Sequence, residues 1–140
     1  MKTSGISIEE IEYVAYWLAK ELMSFDEPIP DFDTRDPHKL ETCAALPFQT
    51  WDKRFLYKGL IPKAAILFYA IIKDHPSQNG NKRIAVTTTL YFLYKNGRWL
   101  KIDNQELYNL ARWVADSNPK VKNETVKAVE RLLKTHLVKI

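Results

Sequence analysis

Residues 71–86 read "IIKDHPSQNGNKRIAV", and the fold follows from how this stretch is read. A histidine before a proline, a polar turn with one glycine, and a lysine–arginine pair stand between two strongly apolar segments. From Leu60 to about Lys73 the chain is apolar on nearly every side of a helix, which predicts a helix buried all round at the centre of the domain. From about Asn81 to Lys95, the residues Ile84, Ala85, Val86, Leu90, Phe92, Leu93 and Tyr94 predict a second, mostly buried helix, stopped at Gly97. Pro76 biases His75 away from helical geometry, so the first helix should end near Asp74 with His75 in extended backbone. Gly80 permits backbone geometry that other residues resist.

Asn81, Lys82 and Arg83 would then form the first turn of the second helix, where unpaired N–H groups and the helix dipole favour an anion. Arg83 can grip a phosphate bidentately, whereas Lys82 acts as a point charge. A neutral histidine beside a bound phosphate can take the proton of an attacking hydroxyl. The pattern therefore points to transfer of a phosphate-containing group. Taken alone, a histidine before a proline is better read as a surface residue on a turn; the combination is what favours chemistry.

Working outward, Ser7 and Glu10 make a capping box, and Ile8, Ile11, Val14, Ala15, Leu18 and Leu22 recur at helical spacing, giving a first helix over about 8–24. The two prolines of "FDEPIPDFD" (25–33) make that stretch a loop. Asp36 followed by Pro37 opens a short helix to about Leu46. The aromatic segment 47–59, "PFQTWDKRFLYKG", is read as extended or hairpin-like. "RWLKI" (98–102) is a short extended link, and Asp103 with Glu106 makes a second capping box for a helix to about Asp116. Asn123 is expected to cap a last helix carrying Val126, Val129, Leu132, Leu133 and Leu137. The fold class expected is all-α, a compact six-helix bundle with a short extended flap, residues 1–140 forming a single domain. Trp17, Trp99 and Trp113 are read as core or interface residues, with the core preferred.

Composition narrows the function classes. A net charge of +4 spread along 140 residues is compatible with a phosphate-bearing ligand, but no basic stripe or base-reading motif accompanies it, so nucleic acid is not the expected partner. The longest apolar run, "AAILFYAII" (64–72), is too short to span a bilayer, and "MKTSGISIEE" lacks the apolar run of a signal peptide. The single cysteine, Cys43, rules out an intramolecular disulfide and reads as a small buried hydrophobe. A reducing cytoplasm is the expected compartment.

The segment "HPSQNGNKRIA" (75–85) resembles the signature of the Fic/Doc family, usually written H-P-F-x-[DE]-G-N-[GK]-R, with His75, Pro76, Gly80, Asn81 and Arg83 matching. Lys82, where Fic enzymes carry a second glycine, resembles the Doc (death-on-curing) branch, and the likeness extends over roughly 35–118. The resemblance implies an all-α core and ATP- and Mg²⁺-dependent transfer onto a hydroxyl of another protein. It implies His75 as the base and the loop amides with Gly80, Asn81, Lys82 and Arg83 as the phosphate-binding group. Fic enzymes mostly transfer AMP. The Doc-type lysine goes instead with transfer of the γ-phosphoryl group, and Doc toxins phosphorylate a translation elongation factor and are neutralised by a separate antitoxin chain. In this family the segment matching 47–59 is a flap that holds the target peptide as an added strand, so Phe48, Trp51 and Phe55 are either anchors for that partner or core-packing aromatics.

Three departures qualify the likeness. Asn79 stands at the acidic position that helps to hold Mg²⁺, which prefers charged oxygen ligands, so metal binding should weaken. Ser77 replaces the phenylalanine that anchors the loop, which implies a looser loop or an anchor from elsewhere. Val86 replaces a second arginine that Doc-type proteins also lack. No glutamate is followed by glycine or asparagine, so the self-inhibitory motif [ST]-x-x-x-E-[GN] is absent and an inhibitor would be a separate chain. The reading is a Doc-like toxin kinase. The alternatives are an AMP-transferase and a degenerate Fic fold that only binds nucleotide or protein.

Overall fold

The computed structural model describes residues 2–22 and 28–140, Leu22 by its backbone only. It is mostly helical, with six helices and only short strands, the all-α class expected. Helix α1 runs over residues 8–22 as α-helix at Ile8–Glu10, π-helix at Ile11–Tyr16 and α-helix at Trp17–Leu22. Residues 23 and 24 of the expected first helix lie outside the described residues, as do 25–27 of the loop after it. The Ser7–Glu10 capping box forms: Glu10 N–H donates to Ser7 Oγ at 3.1 Å, and Ser7 N–H to Glu10 Oε1 at 2.9 Å. The wide π-turns shift the buried face, so Ile11, Ala15, Tyr16 and Ala19 point inward while Val14 and Leu18 are only half-buried.

Helices α2 (Pro37–Ala45), α3 (Leu60–Asp74) and α4 (Asn81–Lys95) follow. In α3 every residue from Lys63 to Ile72 is buried, and α4 buries both its apolar residues and the threonines Thr87, Thr88 and Thr89. The α3–α4 pair is the spine. Helix α1 packs on α4, and α2, α5 (Asn104–Asp116) and α6 (Lys122–His136) pack on α3.

Several boundaries differ from the sequence reading, each for a local reason. Segment 47–59 begins with a 3-10 turn at Leu46–Phe48 and then makes the expected hairpin, β1 (Thr50–Trp51) against β2 (Arg54–Phe55). Its two-residue turn, Asp52 and Lys53, has φ of 51° and 64°, the doubly positive geometry whose twist matches paired strands. "RWLKI" is not a free link. Strand β3 (Arg98–Leu100) pairs antiparallel with β4 (Leu137–Lys139), so the last helix stops at His136 and Leu137 belongs to a strand. Asn123 does not cap that helix. Asn118 does the capping one turn earlier, taking Lys120 N–H at 2.9 Å, because Pro119 starts a 3-10 turn that runs into α6. Asp103 caps α5 through Gln105 N–H at 3.3 Å rather than through the third-position contact of a box.

The three tryptophans expected inside are outside: Trp17 is 57%, Trp99 40% and Trp113 50% exposed. The spine is filled instead by aliphatic and phenyl side chains such as Ala64, Ala65, Phe68, Ala85, Phe92 and Leu93. Tyr94, expected in the buried face of α4, is also exposed and meets Trp99 edge-on with centroids 6.4 Å apart. Cys43 is buried, as expected. Burial, with Asp74 nearby, pushes its thiol up to about 12, so it is inert as a nucleophile near neutral pH. Among the described residues no helix is long and apolar enough to cross a membrane.

One charged cluster ties α1 to α4. Glu10 accepts from Lys95 Nζ at 2.9 Å and from the Tyr91 hydroxyl at 2.9 Å. Partial burial pushes the Glu10 carboxyl up, but Lys95, Ser7 and Tyr91 outweigh it and hold it down at about 2, against an ordinary 4.5. A carboxyl held low when folded stabilises the fold above about 4.5 and loses that contribution as pH falls through about 2. The midpoint of thermal unfolding, followed by circular dichroism, should therefore drop more steeply over that range in the native chain than in Glu10→Gln. Parallel curves would remove the pair from the acid response.

Candidate active site

The polar turn between α3 and α4 is held from three sides. His75 ends α3 as its cap, with φ 51° and ψ 61°. This is left-handed rather than the extended backbone expected: a left-handed residue is the common way to finish a helix, and Pro76 disfavours only the right-handed alternative. Its ring is exposed. Pro76 is buried, and its carbonyl accepts the Asp36 N–H at 2.7 Å, while Asp36 caps α2 by taking His38 N–H at 3.0 Å and Lys39 N–H at 3.1 Å. The start of α2 thus pins the start of the turn.

Ser77 is the centre of the hold. It is buried, its hydroxyl bonds the Tyr16 hydroxyl, and its peptide is clamped at both ends by one amide. Ser77 N–H donates to Asn81 Oδ1 at 3.0 Å, and Asn81 Nδ2 donates to Ser77 O at 2.8 Å. The anchor lost with the missing phenylalanine is supplied by Tyr16, which the π-turn of α1 rotates inward. Burial raises the Tyr16 phenol above its ordinary value, with Ser77 and Arg35 opposing. Phe32 meets the Tyr16 ring edge-on at 5.0 Å, and the Arg35 guanidinium lies 3.8 Å over Phe32.

Gly80 precedes the first turn of α4 with φ 72°, and a Cβ there would stand 2.6 Å from Ile29 Cδ1. Glycine is therefore favoured first by its dihedral, and a Cβ would also oblige the end of the Ile29 side chain to shift. Having no side chain, it also leaves the first-turn N–H groups of α4 without a side-chain cap.

These constraints shape a cavity of about 230 Å³ lined by His75, Asn79, Gly80, Asn81 and Lys82, with Ile72 and Ala115 as its apolar part. Lys73 holds the far edge, donating from Nζ to Ala115 O at 3.1 Å and to Ser117 O. The volume lies below the roughly 300–1,000 Å³ of sites that enclose a whole small molecule. It suits the phosphate end of a nucleotide, with the rest over the rim. Larger grooves lie elsewhere, of about 450 Å³ beside Tyr13 and Trp17 and about 380 Å³ beside Leu56 and Val126, but neither includes the histidine or the start of α4.

The structure brings His75, Asn79, Gly80, Asn81 and Lys82 together and leaves the other candidates apart. Arg83 is 4% exposed and does not line the cavity. The Asn81 side chain is committed to Ser77, so what it offers the cavity is its place in the first turn. In the flap, Phe48 and Phe55 pack around buried Lys63, whose Nζ lies 5.8 Å and 4.2 Å over their rings and donates to Tyr57 O at 2.5 Å. Burial lowers the pKa of that lysine. Trp51, at the hairpin tip, is 77% exposed. For a metal, no group of three or more His, Cys, Asp or Glu converges anywhere among the described residues, and the cavity lining holds no carboxylate, only the amide residues Gln78, Asn79 and Asn81 with the histidine. A magnesium ion here would draw its charged ligands from the phosphates it accompanies.

The Fic/DOC family model matches residues 6–93, from just before α1 to near the end of α4. The chain belongs to the Fic/DOC family. The match starts earlier than the likeness read from the motif, taking in α1 and its Tyr16, and stops short of α5. No curated protein and no solved structure matches the chain. The family is in general one of transferases that move AMP or another phosphate-containing group and act on protein targets.

Two substitutions measure the hold on the turn. Gly80→Ala meets both the positive φ and Ile29, and should cost about 1–3 kcal/mol in urea unfolding. Tyr16→Phe leaves Ser77 Oγ buried without its partner and should cost about 1–3 kcal/mol. A Gly80→Ala protein as stable as the native one would mean that neither the positive φ nor Ile29 constrains the turn.

Proposed function

We propose that the chain is a Doc-like toxin kinase that transfers the γ-phosphoryl group of ATP to a hydroxyl of a target protein. The observation that carries the reading is one cavity holding both an exposed histidine at the end of α3 and the first turn of α4 with Lys82. His75 accepts the proton of the incoming hydroxyl at its ring nitrogen. The N–H groups of the α4 first turn and the Lys82 ammonium hold and neutralise phosphate oxygens, and the clamp on Ser77 fixes the distance between the two groups. ATP with Mg²⁺ supplies the transferable group. The target is a translation factor, met through the flap with Trp51 as the exposed anchor. The regulator is a separate antitoxin chain, and the compartment is the cytoplasm. Residues 1–140 act as one Fic/Doc-type unit.

Lys82 is what favours phosphoryl over AMP transfer. A second reading, a binding module without chemistry, draws on two facts: Arg83 is buried away from the cavity, and Asn79 offers no charge to a metal.

The test is to incubate the protein with a host lysate, Mg²⁺ and either α-labelled or γ-labelled ATP, with His75→Ala in parallel. Label from γ-ATP alone, on one band and lost in the variant, is expected. Label from α-ATP would mean AMP transfer, and no histidine-dependent label would favour the binding module. If Asn79 limits metal binding, Asn79→Asp should lower the Mg²⁺ concentration for half-maximal labelling by about tenfold.

A further inference from the structure

The groove between the flap and α6 has one wall, residues 56–66, inside the stretch that matches the family and the other, on α6, outside it. About 380 Å³ of it is lined by Leu56, Tyr57, Lys58, Pro62, Ile66, Val126 and neighbouring residues of α6. It continues along α6 into a second hollow of about 230 Å³ that shares Lys127 and Glu130 with the first. Two properties set the groove apart from an ordinary solvated helix face. Its charge is one-sided: Lys58, Lys122, Lys127, Arg131 and Lys134 against the single carboxylate Glu130. Its base is apolar, with Ile66 and Val126 buried and Leu56 51% exposed at the edge. All five cations are exposed, and among the described residues none is in an ion pair. Lys127, Arg131 and Lys134 fall at i, i+4 and i+7, on one side of α6.

We propose that this groove docks an acidic peptide segment with apolar side chains, carried by the protein that receives the transferred group. The inference rests on the transferase reading above. The charge calls for carboxylates or phosphates, and the apolar base selects between them. Leucine-like side chains gain by leaving water against Ile66 and Val126, whereas a phosphodiester backbone has nothing to place there. Leu56, Tyr57 and Lys58 directly follow strand β2, so the groove continues the flap and extends the reach of target recognition beyond it. Cations at such a rim act mainly on encounter and selectivity.

The test uses fluorescence anisotropy with a fluorescein-labelled peptide of Glu-Glu-Leu repeats, without nucleotide. The full chain should bind it, K127E/R131E should bind about tenfold more weakly, and added salt should weaken binding. A peptide of Lys-Lys-Leu repeats should not bind. His75→Ala should bind as the native chain does while abolishing labelling in the lysate assay, which keeps the two claims separate. In that assay K127E/R131E should raise KM for the labelled protein and leave kcat unchanged. No binding by the native chain, equal binding by the double variant, or displacement of the peptide by a thymidine oligonucleotide that binds more tightly would each overturn the docking proposal. Absent labelling with peptide binding intact would instead remove the transferase reading.

Discussion

The hydroxyl contact between Tyr16 and Ser77 joins the first helix to the turn on which the candidate chemistry depends. The turn has a difficult task. It must end one fully buried helix and begin another within residues 75–80, while leaving a histidine and a helix N-terminus open to solvent. Backbone polar groups in such a turn need partners, because an unpaired one in the interior costs about 1–3 kcal/mol. The chain supplies the partners from outside the turn: Asp36 N–H for the Pro76 carbonyl, Tyr16 for the Ser77 side chain, and Asn81 for both ends of the Ser77 peptide. The first turn of α4 has no side-chain cap at Gly80, and this helix start, beside the His75 ring in one cavity, is the basis of the phosphate reading.

A rigid base supports this. Helix α3 is buried from Lys63 to Ile72 and cannot move without disturbing α4, α5 and α6 at once, so His75 is held at the end of a fixed rod. Lys73 fixes the end of α5 next to it through two carbonyls. The flap is different in kind. It is a two-residue ladder on exposed positions, tied down chiefly by Lys63 and the Tyr57 carbonyl. Its few buried contacts place it at the low end of local stability, where partner-binding segments are usually drawn from.

The sequence made the spine and the turn legible because both rest on local rules. Continuous apolar runs mark buried helices, and proline, glycine and the charged pair mark the reversal between them. It concealed what rests on tertiary context. A 3.6-residue period cannot reveal a π-turn, so nothing in the spacing marked Tyr16 as part of the buried face of α1, although the serine in place of phenylalanine left either a looser loop or an anchor from elsewhere. The β3–β4 ribbon was hidden because a three-residue strand has no periodicity of its own and its partner lies at the far end of the chain. Of the two places open to the tryptophans, hydrophobicity alone favoured the core, and the structure leaves all three exposed. For Arg83 the charge pointed to a ligand contact, and the structure buries it outside the cavity lining, close to Gly80.

The central claim is that the start of α4 is a phosphate site. It is tested most directly by two-dimensional amide NMR of the labelled protein during titration with ATP and Mg²⁺. The account predicts the largest shifts at the amides of Gly80, Asn81 and Lys82, with the His75 ring signals moving at the same ligand concentrations. Shifts confined to the groove beside Tyr13 and Trp17, with residues 80–82 unmoved, would contradict it.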